Sequence, residues 1–329
     1  MPMKNKMRAI VYHKYGGTEQ LKMAEVPIPV PKPDQVRIKV EAASVNSWDW
    51  DQLIGKPFVI RLIGGLFRPT KSILGFDIAG VIDEVGAEVD GLQVGDEVFG
   101  DISEYGWGAF GEYLCVSPKP LARKATNLSF SEVAAIPHAG VLALQGLRQG
   151  RGLKAGDHLL INGAGGGVGT LGLQLAKDMG AKVTVVDRAD KLAMLKQLGA
   201  DEVLDYQTTD YTHTGPYDFI LDNVARRSMA DYRRALSANG VFVMIGGDMR
   251  LVLGLAIRGI RKAKPGSKKL QILAHKPSAK DLEHLQELVT SDTLKPIIDQ
   301  EYSLIDVPKA LDRIGSGEVR GKLIIKPGK

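Results

Sequence analysis

Cysteine is almost missing from this chain: among 329 residues there is one, Cys115. A single thiol excludes an internal disulfide and a four-cysteine metal cluster, and it suits a reducing compartment, so the expected setting is cytoplasmic. Long apolar runs are missing too. The most apolar stretch, Leu251 to Ile260, is interrupted by Arg258 and falls far short of the ~20 residues that a bilayer span requires. Met1 to Tyr15 carries three lysines and one arginine but no apolar run of signal-peptide length, so secretion is not expected. Nor is one sign of charge in great excess. The net charge of +5 is modest for this length and does not call for a nucleic-acid partner.

What is present is ordinary globular composition, 44% hydrophobic and 25% charged, in a chain long enough for two cores. From Arg8 to Val116 short alternating runs such as Gln35 to Ala42 and Gly80 to Val85 are punctuated by proline and glycine. That pattern predicts a strand-rich, antiparallel region folded as a small barrel, with tight turns in the glycines of residues 86–100. After Pro120 the period changes. Phe130 to Leu147 and Val168 to Met179 read as helices. His158 to Asn162, Lys182 to Asp187, Glu202 to Leu204, Phe219 to Asp222, Gly240 to Ile245 and Leu270 to Ala274 read as buried strands. Strand alternating with helix implies a doubly wound parallel sheet. The tail returns a helix from Ser278 to Thr290, an extended piece from Lys295 to Tyr302, a helix from Val307 to Ile314 and a strand from Lys322 to Lys326. It is too short for a third domain. The expected division is residues 1–119 and 277–329 as one discontinuous catalytic domain, with 120–276 inserted as the nucleotide domain.

The segment NGAGGGVG at 162–169 joins a predicted strand to a predicted helix, and Asp187 ends the next strand. Gly163, Gly166, Gly167 and Gly169, with Val168 opening the helix, let the backbone approach a pyrophosphate at the positive end of that helix. The bland alternative, a glycine turn that only packs helix on strand, leaves five glycines in seven positions unexplained.

These residues now line up with others: GFDIAGVIDEVG at 75–86, GDEVFG at 95–100, GAFGEY at 108–113, AAIPHAG at 134–140 and RGKLIIKP at 320–327. In this order, over almost the whole chain, they resemble the zinc-less quinone oxidoreductases of the medium-chain dehydrogenase/reductase superfamily. The resemblance implies an α/β protein: a GroES-like, mostly-β catalytic domain plus a doubly wound Rossmann domain. It also implies hydride transfer from a nicotinamide cofactor to a quinone or an α,β-unsaturated carbonyl in a cleft between domains, and a homodimer. The zinc-dependent relatives carry a cysteine and a histidine at the positions matching Asn46 and Phe76. An amide and a phenyl ring do not replace them, so no metal is expected. Asp77 is then a structural hydrogen bonder.

By the same resemblance Asn46 and Asp49 are the candidate catalytic residues, with Trp48, Asp51 and His138 in the substrate cleft. Asp51 stands where many relatives have a tyrosine, and Leu142 where the family has a threonine. His138 is either cleft-facing or a local hydrogen bonder at a helix start. For the dinucleotide, Asp187 suits the ribose hydroxyl of NADH, whereas Arg188, Lys191 and Tyr206 suit the 2′-phosphate of NADPH. NADPH is the expectation and NADH the alternative. Asn223 and Gly246, at the ends of later strands, complete the expected cofactor contacts.

Two questions stay open in the sequence. A dinucleotide-binding redox sensor or RNA-binding protein with little turnover is the rival function. The basic stretch from Arg250 to Lys269 is either a helix shielding the cofactor cleft or a membrane-surface helix with Leu251, Leu253, Leu255 and Ile260 as its apolar side.

Overall fold

The computed structural model describes residues 6–259 and 266–328, in two compact units. The first comprises Met1–His138, Pro277–Thr290 and Ile298–Lys329, the second Ala139–Lys276 and Ser291–Ile297. The first unit therefore runs past residue 119. Leu121–Arg123 pairs antiparallel with Glu97–Asp101, and the helix Phe130–Ala134 lies against that same sheet, so neither can be detached from it.

The first unit is built on a seven-stranded sheet. Its strands run in the order Ile298–Ser303, Lys322–Lys326, Val36–Val45, Asp77–Val85, Glu97–Asp101 and Leu121–Arg123, with Tyr113–Val116 paired to Val36–Val45 off this path. All pairs are antiparallel except the first, which is parallel. Alternation within Val36–Val45 sends Val36, Ile38 and Val40 into a core with Phe76, Ile78, Ile82, Val98 and Phe110. The returning helix Val307–Ser316 closes that core with Val307, Ala310 and Leu311.

The second unit holds a six-stranded, all-parallel sheet ordered Glu202–Asp205, Lys182–Asp187, His158–Asn162, Tyr217–Asp222, Leu236–Met244 and Lys269–Ile272. Counted along the chain this is 3-2-1-4-5-6, the doubly wound order whose reversal between the first and fourth strands leaves a crevice for a dinucleotide.

Two expectations need correcting. The single helix expected from Phe130 to Leu147 is two, Phe130–Ala134 and Pro137–Arg148. Pro137 has no N–H and is tolerated only in a first turn, so the helix restarts there. The apolar side that the membrane-surface alternative requires around Leu251 is not one face. In the helix Met249–Gly259, Leu251 and Leu255 are buried in the second unit's core while Leu253 and Ile257 are exposed, as a spacing of four residues per face demands. Ile260, Arg261, Lys262 and Lys264 lie outside the described residues. Among the described residues no helix is long and apolar enough to cross a membrane.

Candidate active site

In the first unit the polar cluster grows out of strand register. Ser44 pairs with Asp77, Asp77 with Asp101, and Leu323 with Val45, which sets Lys322 opposite Asn46. Side chains alternate along a strand, so Ser44 and Asn46 share one face and meet Asp77 and Lys322 there. The contacts follow. Lys322 Nζ donates to Asn46 Oδ1 at 2.6 Å and to Asp77 Oδ2 at 3.2 Å. Asn46 Nδ2 and Ser44 Oγ donate to the same Asp77 oxygen at 3.0 and 2.8 Å. Its other oxygen accepts the backbone N–H of His138 at 2.9 Å. That N–H is available because His138 lies in the first turn of the restarted helix, where backbone donors have no partner within the helix. Every member of this cluster is buried. A buried carboxylate is tolerable only when paired and saturated with donors, and Asp77 is both.

The expected site residues sort themselves around this cluster. Asn46 belongs to it, and one of its two amide hydrogens is committed to Asp77. Asp49 does not line a cleft: it is fully buried, and its two oxygens accept the backbone N–H groups of Asn46 and Gly75, both at 2.9 Å. Loss of water pushes its carboxyl up to about 7. Asp49 is thus a brace that closes the helix start at Asn46 onto the loop before Phe76. His138 is buried, with Nδ1 2.8 Å from Asp101 Oδ2 and its ring edge-on to Phe76 at 4.9 Å. Of its two readings the structure shows the local hydrogen bonder. Trp48 is partly exposed, its ring 6.3 Å from Phe76 and 6.2 Å from His138. Asp51 is half-buried, and burial raises its carboxyl to about 6.

Lys322, Ser44 and Asp101 were not foreseen. A lysine at the head of the apolar run LII reads locally as a solvated strand end. Only the pairing with Val36–Val45 turns it inward.

In the second unit the glycine loop links His158–Asn162 to the helix Gly167–Asp178. Gly163 has φ +73°, open to glycine at little cost. A Cβ on Gly169 would lie 2.3 Å from Ala164 Cα, so this glycine is required by close packing of helix on loop. Around Gly166 the same test meets nothing within 4 Å, and there backbone can face a ligand. Gly167 and Val168 form the first helical turn behind it. Asn223 Nδ2 donates to Gly163 O at 3.2 Å, while its Oδ1 is buried without a hydrogen-bond partner. An orphaned buried acceptor beside a phosphate-type loop fits a ligand hydroxyl. Gly246 packs over the Asn223 carbonyl, where a Cβ would come within 2.9 Å.

Asp187 is partly committed. Its Oδ2 accepts Gly165 N–H at 2.6 Å, its Oδ1 accepts Arg188 N–H at 2.8 Å, and Lys191 Nζ stands 3.7 Å away. Lys191 is buried along Gly165, so it balances Asp187 rather than projecting into solvent. Arg188 is half-exposed, with Nε on Asp190, and Tyr206 is exposed.

Two family models match the chain, "Alcohol dehydrogenase GroES-like domain" over residues 32–126 and "Zinc-binding dehydrogenase" over residues 198–325. It is 33% identical over 334 residues to a "Chloroplast envelope quinone oxidoreductase homolog" of Arabidopsis thaliana, covering 98% of both chains. The chain belongs to the quinone oxidoreductase branch of the medium-chain dehydrogenase/reductase superfamily. A "2-methylene-furan-3-one reductase" of Solanum lycopersicum is likewise 33% identical over 335 residues, covering 98% of this chain and 80% of its own. The quinone oxidoreductase structure from Coxiella burnetii superposes with a TM-score of 0.87 at 31% identity, over 98% of this chain and 99% of that one. Membership in this branch makes the protein an oxidoreductase that uses a nicotinamide dinucleotide.

Proposed function

We propose that this chain reduces a quinone or an α,β-unsaturated carbonyl with NADPH and without zinc. One observation carries the reading: the Asn46 amide is held from both ends, its oxygen by Lys322 and one of its N–H groups by Asp77. The remaining N–H is thereby aimed, and a fixed donor is what a carbonyl oxygen gaining negative charge requires. Bound at the glycine loop, the dinucleotide supplies hydride from its nicotinamide ring. Asn46 orients the acceptor carbonyl, Asp49 holds Asn46 in place, and the proton comes from solvent.

Zinc independence rests on the donor set. Phe76 offers no lone pair, and the oxygen of Asn46 is already occupied by an ammonium group. NADPH is favoured because Lys191 offsets the Asp187 charge, which leaves Arg188 and Tyr206 to receive a 2′-phosphate. A homodimer is proposed as well, since Lys269–Ile272 ends the parallel sheet and pairs on one side, with Leu236–Met244.

The deciding experiment is a screen of NADPH and NADH oxidation against quinones, enones and enals. Turnover with at least one acceptor is expected, faster with NADPH. Tight NADPH binding with no turnover on any of them would replace this reading with that of a dinucleotide-binding sensor.

A further inference from the structure

Between Asp51 and Asp77 the chain has no acidic residue and four basic ones, Lys56, Arg61, Arg68 and Lys71. The same segment holds the most exposed apolar group in the first unit. Phe67 is 87% exposed, Ile63 77%, Leu62 64% and Phe58 62%, with Leu66 and Val59 also open. This is not a loose loop. The short helix Val59–Gly64 is tied down from beneath by buried Ile60. Tyr15 donates to the Gly65 carbonyl at 2.7 Å, Arg61 Nε donates to the Gly55 carbonyl at 3.1 Å, and Thr70 N–H donates to the Gly64 carbonyl at 2.7 Å. A braced turn thus holds six large apolar side chains outward instead of folding them under.

Exposed apolar side chains gathered in one short, braced segment, rather than scattered singly, mark an interaction site. We infer that residues 56–71 form a docking element for the surface of an anionic lipid bilayer. Apolar side chains enter the boundary between headgroups and acyl chains, while Lys56 and Arg68 beside them meet lipid phosphates. The charge pattern selects this occupant over a second copy of the chain. A two-fold contact would set the patch against itself, bringing like charges together with no acidic residue of the segment to answer them. The inference does not depend on which carbonyl compound the enzyme reduces.

Flotation of the full-length protein with vesicles tests it, using phosphatidylcholine alone and phosphatidylcholine mixed with phosphatidylglycerol. The protein should float with the mixed vesicles at low salt, float at least fivefold less with phosphatidylcholine alone, and be released as salt rises. The double substitution Ile63→Ser, Phe67→Ser should lower binding tenfold or more. Arg68→Glu should do so separately, a second variant that leaves the apolar surface intact. Circular dichroism and thermal melting report whether each variant is folded. Absence of wild-type flotation with the mixed vesicles would overturn the inference, as would equal binding to both vesicle types. So would light scattering that shows the serine variants splitting a wild-type dimer into monomers.

Discussion

Lys322 and Asn46, 276 positions apart in sequence, meet at 2.6 Å across adjacent antiparallel strands. The contact couples stability to amide orientation, because the same ammonium also serves the buried Asp77 carboxylate.

Lys322→Met should therefore have two separable effects. It leaves Asp77 without its counter-charge, a loss on the order of 3 kcal/mol in unfolding free energy. It also frees the Asn46 amide to rotate. Adding Asp77→Asn should restore most of the stability but leave kcat at least tenfold below wild type, with the affinity for dinucleotide unchanged. Recovery of kcat together with stability would show that Lys322 has no part in positioning Asn46.

The pairing of Lys191 with Asp187 predicts a coupled pair of substitutions. Lys191→Ala exposes the Asp187 charge and should weaken NADPH about tenfold or more while leaving NADH nearly unchanged. Asp187→Asn in the same chain should recover most of the loss, a coupling that a double-mutant cycle measures directly. If the two substitutions act additively, or if wild type binds NADH more tightly, Asp187 governs the ribose and NADPH is the wrong cofactor.

Much of this was legible in the chain, and the rest fails for physical reasons. The parallel strands announce themselves as apolar runs that end at glycine-rich or polar turns, and Lys182–Asp187 and Lys322–Lys326 fall where the periodicity puts them. The break at Pro137 is not visible in periodicity, because the apolar stripe continues through it. Lys322 and Asp101 could not be read from neighbours in sequence, since what turns them inward is register between strands. Asp49 was placed in the right neighbourhood with the wrong job, for a carboxylate that braces backbone looks in sequence like one that faces substrate. The exposure of Phe58, Leu62, Ile63 and Phe67 has no signal in the sequence and appears only in the fold.

Asp222 gives a pH-dependent signature. It is fully buried at the end of Tyr217–Asp222 and accepts from Asn162, Val224 N–H, Tyr232 and Tyr211. Loss of water nevertheless raises its carboxyl to about 6, above an ordinary value of ~3.9. Folding then favours the protonated form, so its stabilising contribution is complete below about pH 4 and is lost as pH rises through about 6. Asp222→Asn does not ionise, and the tyrosine hydroxyls can turn to accept from its amide. Relative to wild type the variant should gain up to about 3 kcal/mol between about pH 4 and pH 7 in denaturant unfolding. Parallel stability curves across that range would refute the assignment.

Metal content is the simplest check on the Asn46 and Phe76 argument. Purified protein is expected to carry no stoichiometric zinc, and exhaustive chelation should leave the rate of NADPH oxidation intact. One tightly held zinc per chain, with activity lost on its removal, would contradict it.

The first unit is interrupted in sequence between His138 and Pro277, so its last strand is also the last part of it to be synthesised. Until the ribosome has passed Lys322, the nascent unit has an open edge at Ala43, Ser44 and Val45 and an aspartate committed to burial without its cation. A nonsense codon or protease cut just ahead of residue 322 would therefore abolish the site while every residue of the glycine loop, Asn46 and Asp77 remained in the chain. Changes that displace Lys322–Lys326 therefore belong with active-site variants, however far that strand lies from Asn46 in sequence.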